Sequence, residues 1–249
     1  MVGPSKVIFA TSPDKIGWHP RDVWWCILAV LLSQLLVLAV IWGIWLPYRK
    51  IAYWISTPLG APLLEGFRAF LTLLATVFCA KTRSIGDFFH DFDLRLPNRA
   101  NVLVSAILGV ISASLATYLG SIGQGSPRPM IEALRGATAN HRSYFTLLVI
   151  WVALIEEIIL RGFCYKAFRG SWGVAQSTTC VLFIDSLIHW DVISSGKMLA
   201  IFLFVVIGIC LCVVRERTNS LWNCILFHFV YDAILSSPIS AVLLKVFGT

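Results

Sequence analysis

Seven side chains in the second half of this chain have the types and spacing to act together: Glu156, Glu157 and Arg161, then Asp185 and His189, then His228 and Asp232. Glu157 and Arg161, Asp185 and His189, and His228 and Asp232 are each spaced i, i+4, which puts the members of each pair on one helix face. Glu157 and Arg161 read as a charge pair that lowers the cost of both. Glu156 points about 100° away from Glu157 at 3.6 residues per turn, so it is the carboxylate available for chemistry. A carboxylate can deprotonate water, one His can assist, and a second His can donate to an oxyanion. That is the inventory of a hydrolytic site. No Ser or Cys stands in a nucleophile motif.

The segments carrying these residues are otherwise apolar. A charged side chain at membrane depth costs roughly 2.5–3.5 kcal/mol on insertion scales, and Glu156, Glu157 and Arg161 fall within six positions. The bland reading is a helix end with solvated charges, which nearby Lys166 and Arg169 would suit. His189, followed by Trp190 and Asp191, would then mark the membrane interface. His228 and Asp232 fit that reading less well, because the rest of Leu221 to Leu235 is apolar or small. Three helices each bringing ionisable residues to membrane depth is the pattern expected when they converge on one water-filled cavity.

Composition sets the class. Of 249 residues, 58% are hydrophobic and 13% charged, against about 25% charged in soluble domains. The ten Trp and sixteen Phe suit a protein anchored at headgroup level. The net charge of +7 comes from basic residues scattered singly or in pairs. They form no stripe for nucleic acid, so the bilayer is the expected partner, through loops that touch anionic headgroups. The seven cysteines lie in or beside apolar segments without C-x₂-C spacing and read as buried free thiols. Residues 1–22 are polar, and the run after them is too long for the core of a cleavable signal.

These features predict an all-α, polytopic transmembrane helical bundle of about seven spans, with six to eight as alternatives, each needing roughly 20 residues. The expected spans are Val23–Tyr48, Pro62–Ala80, Asn101–Ile122, one starting near Ser143 and running into the Glu-Glu stretch, Trp172–Trp190, Met198–Val214, and Thr218 to about Ser236. Arg215-Glu216-Arg217 is expected to close the sixth. Glu65 and Arg68 could pair on the second. Lys81–Arg99 and Gly123–Arg142 read as polar loops, with a short surface helix at Met130–Arg135. Ile239–Phe247 is too short to span. Residues 1–142 are expected to supply N-terminal helices and 143–249 the catalytic core of one membrane-embedded unit. The Lys/Arg asymmetry of alternate loops favours a cytoplasmic N-terminus.

The order Glu-Glu-x-x-x-Arg, then His, then His-x-x-x-Asp resembles the CPBP family, which joins type II CAAX prenyl endopeptidases to bacteriocin-processing and self-immunity proteins. The residues that carry the resemblance are Glu156 to Phe163, and Ser220-Leu221-Trp222 leading to His228-Phe229-Val230-Tyr231-Asp232. It covers about residues 143–236. The resemblance implies an intramembrane endopeptidase without a required metal or other cofactor, cutting a peptide or a membrane or lipidated protein near its C-terminus. It implies Glu156 as the base, His189 as its assistant, Glu157 and Arg161 as orienting residues, and His228 with Asp232 as the oxyanion-stabilising pair. One departure stands out: Asp185 occupies the position, four before the His, where the family has Phe. An ionised Asp232 would also repel an oxyanion, so it would be protonated or would orient His228 instead. Two alternatives stay open, a zinc peptidase using Glu156, His189 and His228, and a non-enzymatic immunity or partner-binding protein. The expected location is a bacterial plasma membrane.

Overall fold

A computed structural model describes residues 17–45, 60–82, 88–122 and 151–236. Among them the chain is helical, with no strand. The elements are α1 (Pro20–Trp45), α2 (Gly60–Lys81), the short α3 (Phe88–Asp91) and α4 (Arg99–Ile122). A continuous helix then runs through residues 151–169, followed by α5 (Val174–Ile188), α6 (Trp190–Ser194), α7 (Met198–Thr218) and α8 (Leu221–Ser236).

Among the described residues, three helices are long and apolar enough to cross a membrane, over Pro20–Val40, Arg99–Leu119 and Met198–Thr218. Their outer faces carry exposed leucine, valine and isoleucine, as with Leu31, Leu32, Leu35 and Leu36 on α1. In water such a face would be a liability; against lipid it is the expected surface. α5 and α8 are apolar but shorter. Three of the seven expected spans therefore meet both criteria among the described residues, and the fourth expected start, near Ser143, lies outside the described residues. So do Gly123–Arg142 and Ile239–Phe247.

Helices in lipid gain no hydrophobic drive from pairing, so small residues and polar contacts hold them together. α4 and α8 illustrate this. A Cβ at Gly109 would stand 2.8 Å from the Phe227 carbonyl oxygen and 2.9 Å from Val230 Cβ, so only glycine permits this approach. Ala113 and Ala116 are fully buried one and two turns further on, and Ser105 Oγ lies 3.3 Å from Asn223 Oδ1. α1 and α2 are joined by polar contacts: Arg68 Nε donates to Gln34 Oε1 at 2.7 Å, and Gln34 Nε2 donates to Thr72 Oγ1 at 3.2 Å. The expected Glu65 contact falls on a side chain outside the described set.

Several boundaries differ from expectation. Arg215, Glu216 and Arg217 lie in the last turn of α7 and close it as expected; the helix runs on to Thr218 and ends when Asn219 adopts a left-handed conformation (φ 48°) and its N–H bonds back to Arg215. Asn tolerates that conformation and terminates helices in this way. Thr218 therefore belongs to α7, and α8 starts at Leu221. The segment expected as one helix to Trp190 breaks at His189 (φ −99°, ψ 42°). Lys81–Arg99 contains the short helix α3 rather than loop alone.

Candidate active site

The helix at 151–169 carries the first three site residues and changes its winding as it does so. Residues 158–164 are π-helical, with the Tyr165 N–H reaching the Leu160 carbonyl. Such a wide turn is uncommon and is frequently found at functional sites. Gly162 lies within it, where a Cβ would stand 2.8 Å from Phe92 Cδ1 and 3.0 Å from Leu221 Cδ2. Helix α8 and the α3 region therefore press directly against the backbone that holds Arg161.

The two adjacent carboxylates have different surroundings. Glu157 is fully enclosed, at 0% side-chain exposure, whereas Glu156 keeps 15%. Glu156 is thus the one placed to meet water. Its Oε2 lies 3.6 Å from His189 Nε2 and 3.7 Å from His228 Nε2. Three elements distant in sequence bring these groups together: the 151–169 helix, the break after α5, and α8. They line one cavity of about 50 Å³ together with Arg161 and Asp185. A single water needs about 10–15 Å³ of such volume, so the cavity has room for a few.

Behind Glu156 runs a chain of buried charged contacts. Glu157 Oε1 is 2.8 Å from His228 Nδ1 and accepts from Arg161 Nη1 at 3.2 Å. Arg161 Nη2 donates to Asp185 Oδ2 at 3.0 Å. The other Asp185 oxygen lies 3.5 Å from His189 Nε2. Asp232 Oδ2 is 3.3 Å from His228 Nε2. All seven residues singled out from spacing thus fall in one cluster. A helix end with solvated charges does not describe them: Glu157, Arg161, Asp185, His228 and Asp232 are all buried, and the helix continues to Arg169.

Two lining residues carry no signal in the spacing of ionisable groups. Phe204 on α7 meets the His189 ring edge-on, with centroids 5.5 Å apart, and Tyr231 faces the cavity from α8. Tyr231 could have been noticed as the neighbour of Asp232; Phe204 sits in an unbroken apolar run and could not. The zinc alternative needs donors closing on one ion. Among the described residues, no group of three or more His, Cys, Asp or Glu side chains is placed to hold one. The seven cysteines are free thiols, buried or half-buried.

A second polar cluster marks one end of the bundle. Asp93, in a left-handed turn (φ 51°), receives Arg215 from α7 and Lys166 at 2.7 Å. Arg215 Nε also donates to the Arg161 carbonyl at 3.2 Å. Burial acts to raise the Asp93 carboxyl, but Arg215 and then Lys166 outweigh it and hold it below the usual range. Nearby, Glu216 accepts from Tyr165 Oη at 2.9 Å and from Arg169 Nη2 at 2.8 Å. These contacts tie the site-bearing helix to α7.

An all-helical fold with apolar spans, and an acid–histidine cluster around a small buried cavity, define an integral membrane protein with a candidate hydrolytic centre. Residues 139–234, the segment that carries all seven site residues, match the family described as Type II CAAX prenyl endopeptidase Rce1-like, a family of proteases, and the match supports the resemblance of that segment to the CPBP family. No curated protein and no solved structure matches the chain.

Proposed function

We propose that this protein is an intramembrane endopeptidase that hydrolyses a peptide bond with a water activated by Glu156. The observation that carries the reading is the convergence of Glu156 with His189 and His228, at 3.6 and 3.7 Å, on one cavity. The substrate is a peptide, or a membrane or lipidated protein cut near its C-terminus. The family match supports a protein substrate, and a site enclosed among apolar helices supports one that is reached from the bilayer.

In the reaction, Glu156 takes a proton from water as its oxygen attacks the scissile carbonyl carbon. His189, beside the same carboxylate oxygen, steadies the water and the proton. The carbonyl π electrons move onto oxygen, and His228 donates a hydrogen bond to that oxyanion, the contribution on which such sites depend most. Collapse breaks the C–N bond, and the proton held by Glu156 passes to the departing amine. One water is consumed, leaving an acid and an amine. Glu157 and Asp232 face the two nitrogens of His228, so Asp232 acts by orienting the imidazole, not by touching the oxyanion. A bacterial plasma membrane is the setting in which such a protein would process peptide precursors or other membrane proteins.

The test is a comparison of protein termini in membranes carrying wild-type or Glu156→Gln protein. New termini present only with the wild type support the reading. Equal termini in both, with the variant folded and abundant, exclude it and favour a binding or immunity role.

A further inference from the structure

We infer that Asp185 is a positioning residue that joins the two site histidines into one buried chain through Arg161. The chain runs His189, Asp185, Arg161, Glu157, His228, with successive separations of 3.5, 3.0, 3.2 and 2.8 Å. It crosses from α5 to the 151–169 helix and on to α8. Asp185 uses a different oxygen for each neighbour, Oδ1 toward His189 and Oδ2 toward Arg161.

A carboxylate at this depth is expensive unless paired and hydrogen-bonded. Neutralising Arg161 does not by itself require it, because Glu157 already stands against the guanidinium. What Asp185 adds is a second anchor for the guanidinium fork and a hold on His189. That hold falls at a weak point. α5 ends at Ile188, and His189 is attached to it through its N–H to the Asp185 carbonyl at 2.9 Å. The backbone bond fixes where the residue sits; the direction of its ring is set by what the side chain meets. The Asp185 carboxylate, 3.5 Å from Nε2, and Phe204, edge-on to the ring, hold that direction, with Nε2 toward Glu156. An apolar residue at 185 could neither accept from Arg161 nor reach the imidazole.

The consequence for catalysis rests on the endopeptidase reading, whereas the geometry does not, so the test uses no substrate. Full-chain protein in lipid nanodiscs is labelled with ¹⁵N at its five histidines, and ring resonances are compared for wild type, Asp185→Asn, Asp185→Ala and Asp185→Glu. The expected result is a shift of the His189 ring signals in the Asn and Ala variants. A smaller shift is expected at His228, passed on through Arg161 and Glu157, with His19 and His90 unmoved. Asp185→Glu restores the wild-type pattern at least in part. Unchanged His189 and His228 signals in a folded Asp185→Asn or Asp185→Ala protein overturn the inference, even if Glu156→Gln abolishes cleavage. So does a shift spread equally over all five histidines, since that reports general loosening. Conversely, if Glu156→Gln leaves termini unchanged, the spectral result still decides the role of Asp185.

Discussion

Glu157 and His228 are 71 positions apart in sequence and meet at 2.8 Å, Oε1 to Nδ1, inside the bundle. The contact joins the site-bearing helix to α8 and turns the other ring nitrogen toward Glu156 and Asp232. The enclosed member of the carboxylate pair is thereby held among buried contacts, while the partly open one lines the cavity.

From this division, Glu156→Gln and Glu157→Gln should fail differently. Glu156→Gln should abolish cleavage while leaving the melting temperature within a few degrees of wild type. Glu157→Gln should lower the melting temperature as well as the rate, because it leaves Arg161 less well compensated in the interior. Thermal unfolding in detergent beside a cleavage assay checks both. Equal loss of stability in the two variants would contradict the division of roles.

Arg161 is 1% exposed and serves carboxylates on two elements. Replacing it with Met should cost about 3–5 kcal/mol, the penalty for leaving partners of a buried ion pair uncompensated. Arg161→Lys should recover only a small part of this, since an ammonium lacks the rigid fork that reaches both carboxylates at once. Denaturant titration of the two variants measures the difference.

Gly162→Ala should be destabilising by about 1–3 kcal/mol, the usual cost of overpacking, because the added methyl meets Phe92 and Leu221 at 3.0 Å or less. Shortening Leu221 to Ala in the same chain should recover some activity lost by Gly162→Ala, by giving the new methyl space. Recovery identifies the clash, not helix propensity, as the cause.

Asp93 supplies a pH signature at the end of the bundle. Its usual value of 3.8 is lowered in the fold, where Arg215 and Lys166 outweigh the effect of burial. The unfolded chain therefore binds the proton more readily, and the stabilisation is present above the unfolded value. It is lost as pH falls through the lowered folded value, that is, below 3.8. Asp93→Asn, which tolerates the same left-handed backbone, should melt lower than wild type at neutral pH. The gap should narrow as the pH is taken below 3.8.

Chelation separates the glutamate mechanism from the zinc one. Cleavage by protein purified and dialysed against a strong chelator should be unchanged, and elemental analysis should find less than one zinc per chain. Loss of cleavage on chelation, restored by added zinc, would replace the glutamate base with a metal-bound water.

The apolar runs, and the ionisable residues set within them, were legible in sequence because lipid admits charge only where something offsets its cost. The i, i+4 rule likewise placed Glu157 with Arg161 and His228 with Asp232, since neighbours on a helix face are determined locally. It also indicated that Glu156 and Glu157 point in different directions. Other features are not local. Asp185 reaches Arg161, and Glu157 reaches His228, only because α5 and α8 pack against the 151–169 helix. Glycines at 109, 162 and 208 mark the closest approaches, with Gly208 set against Leu182 and near Arg161. The π-helical turn has the same origin: nothing in Ile158 to Cys164 demands it, and the helix takes it within a packed surround. The break at His189 lets the ring meet Asp185, Glu156 and, from α7, Phe204. Side-chain pairs within a helix follow from its 3.6-residue turn, but which helices face each other is decided by packing among surfaces of nearly uniform hydrophobicity, where sequence periodicity carries little information.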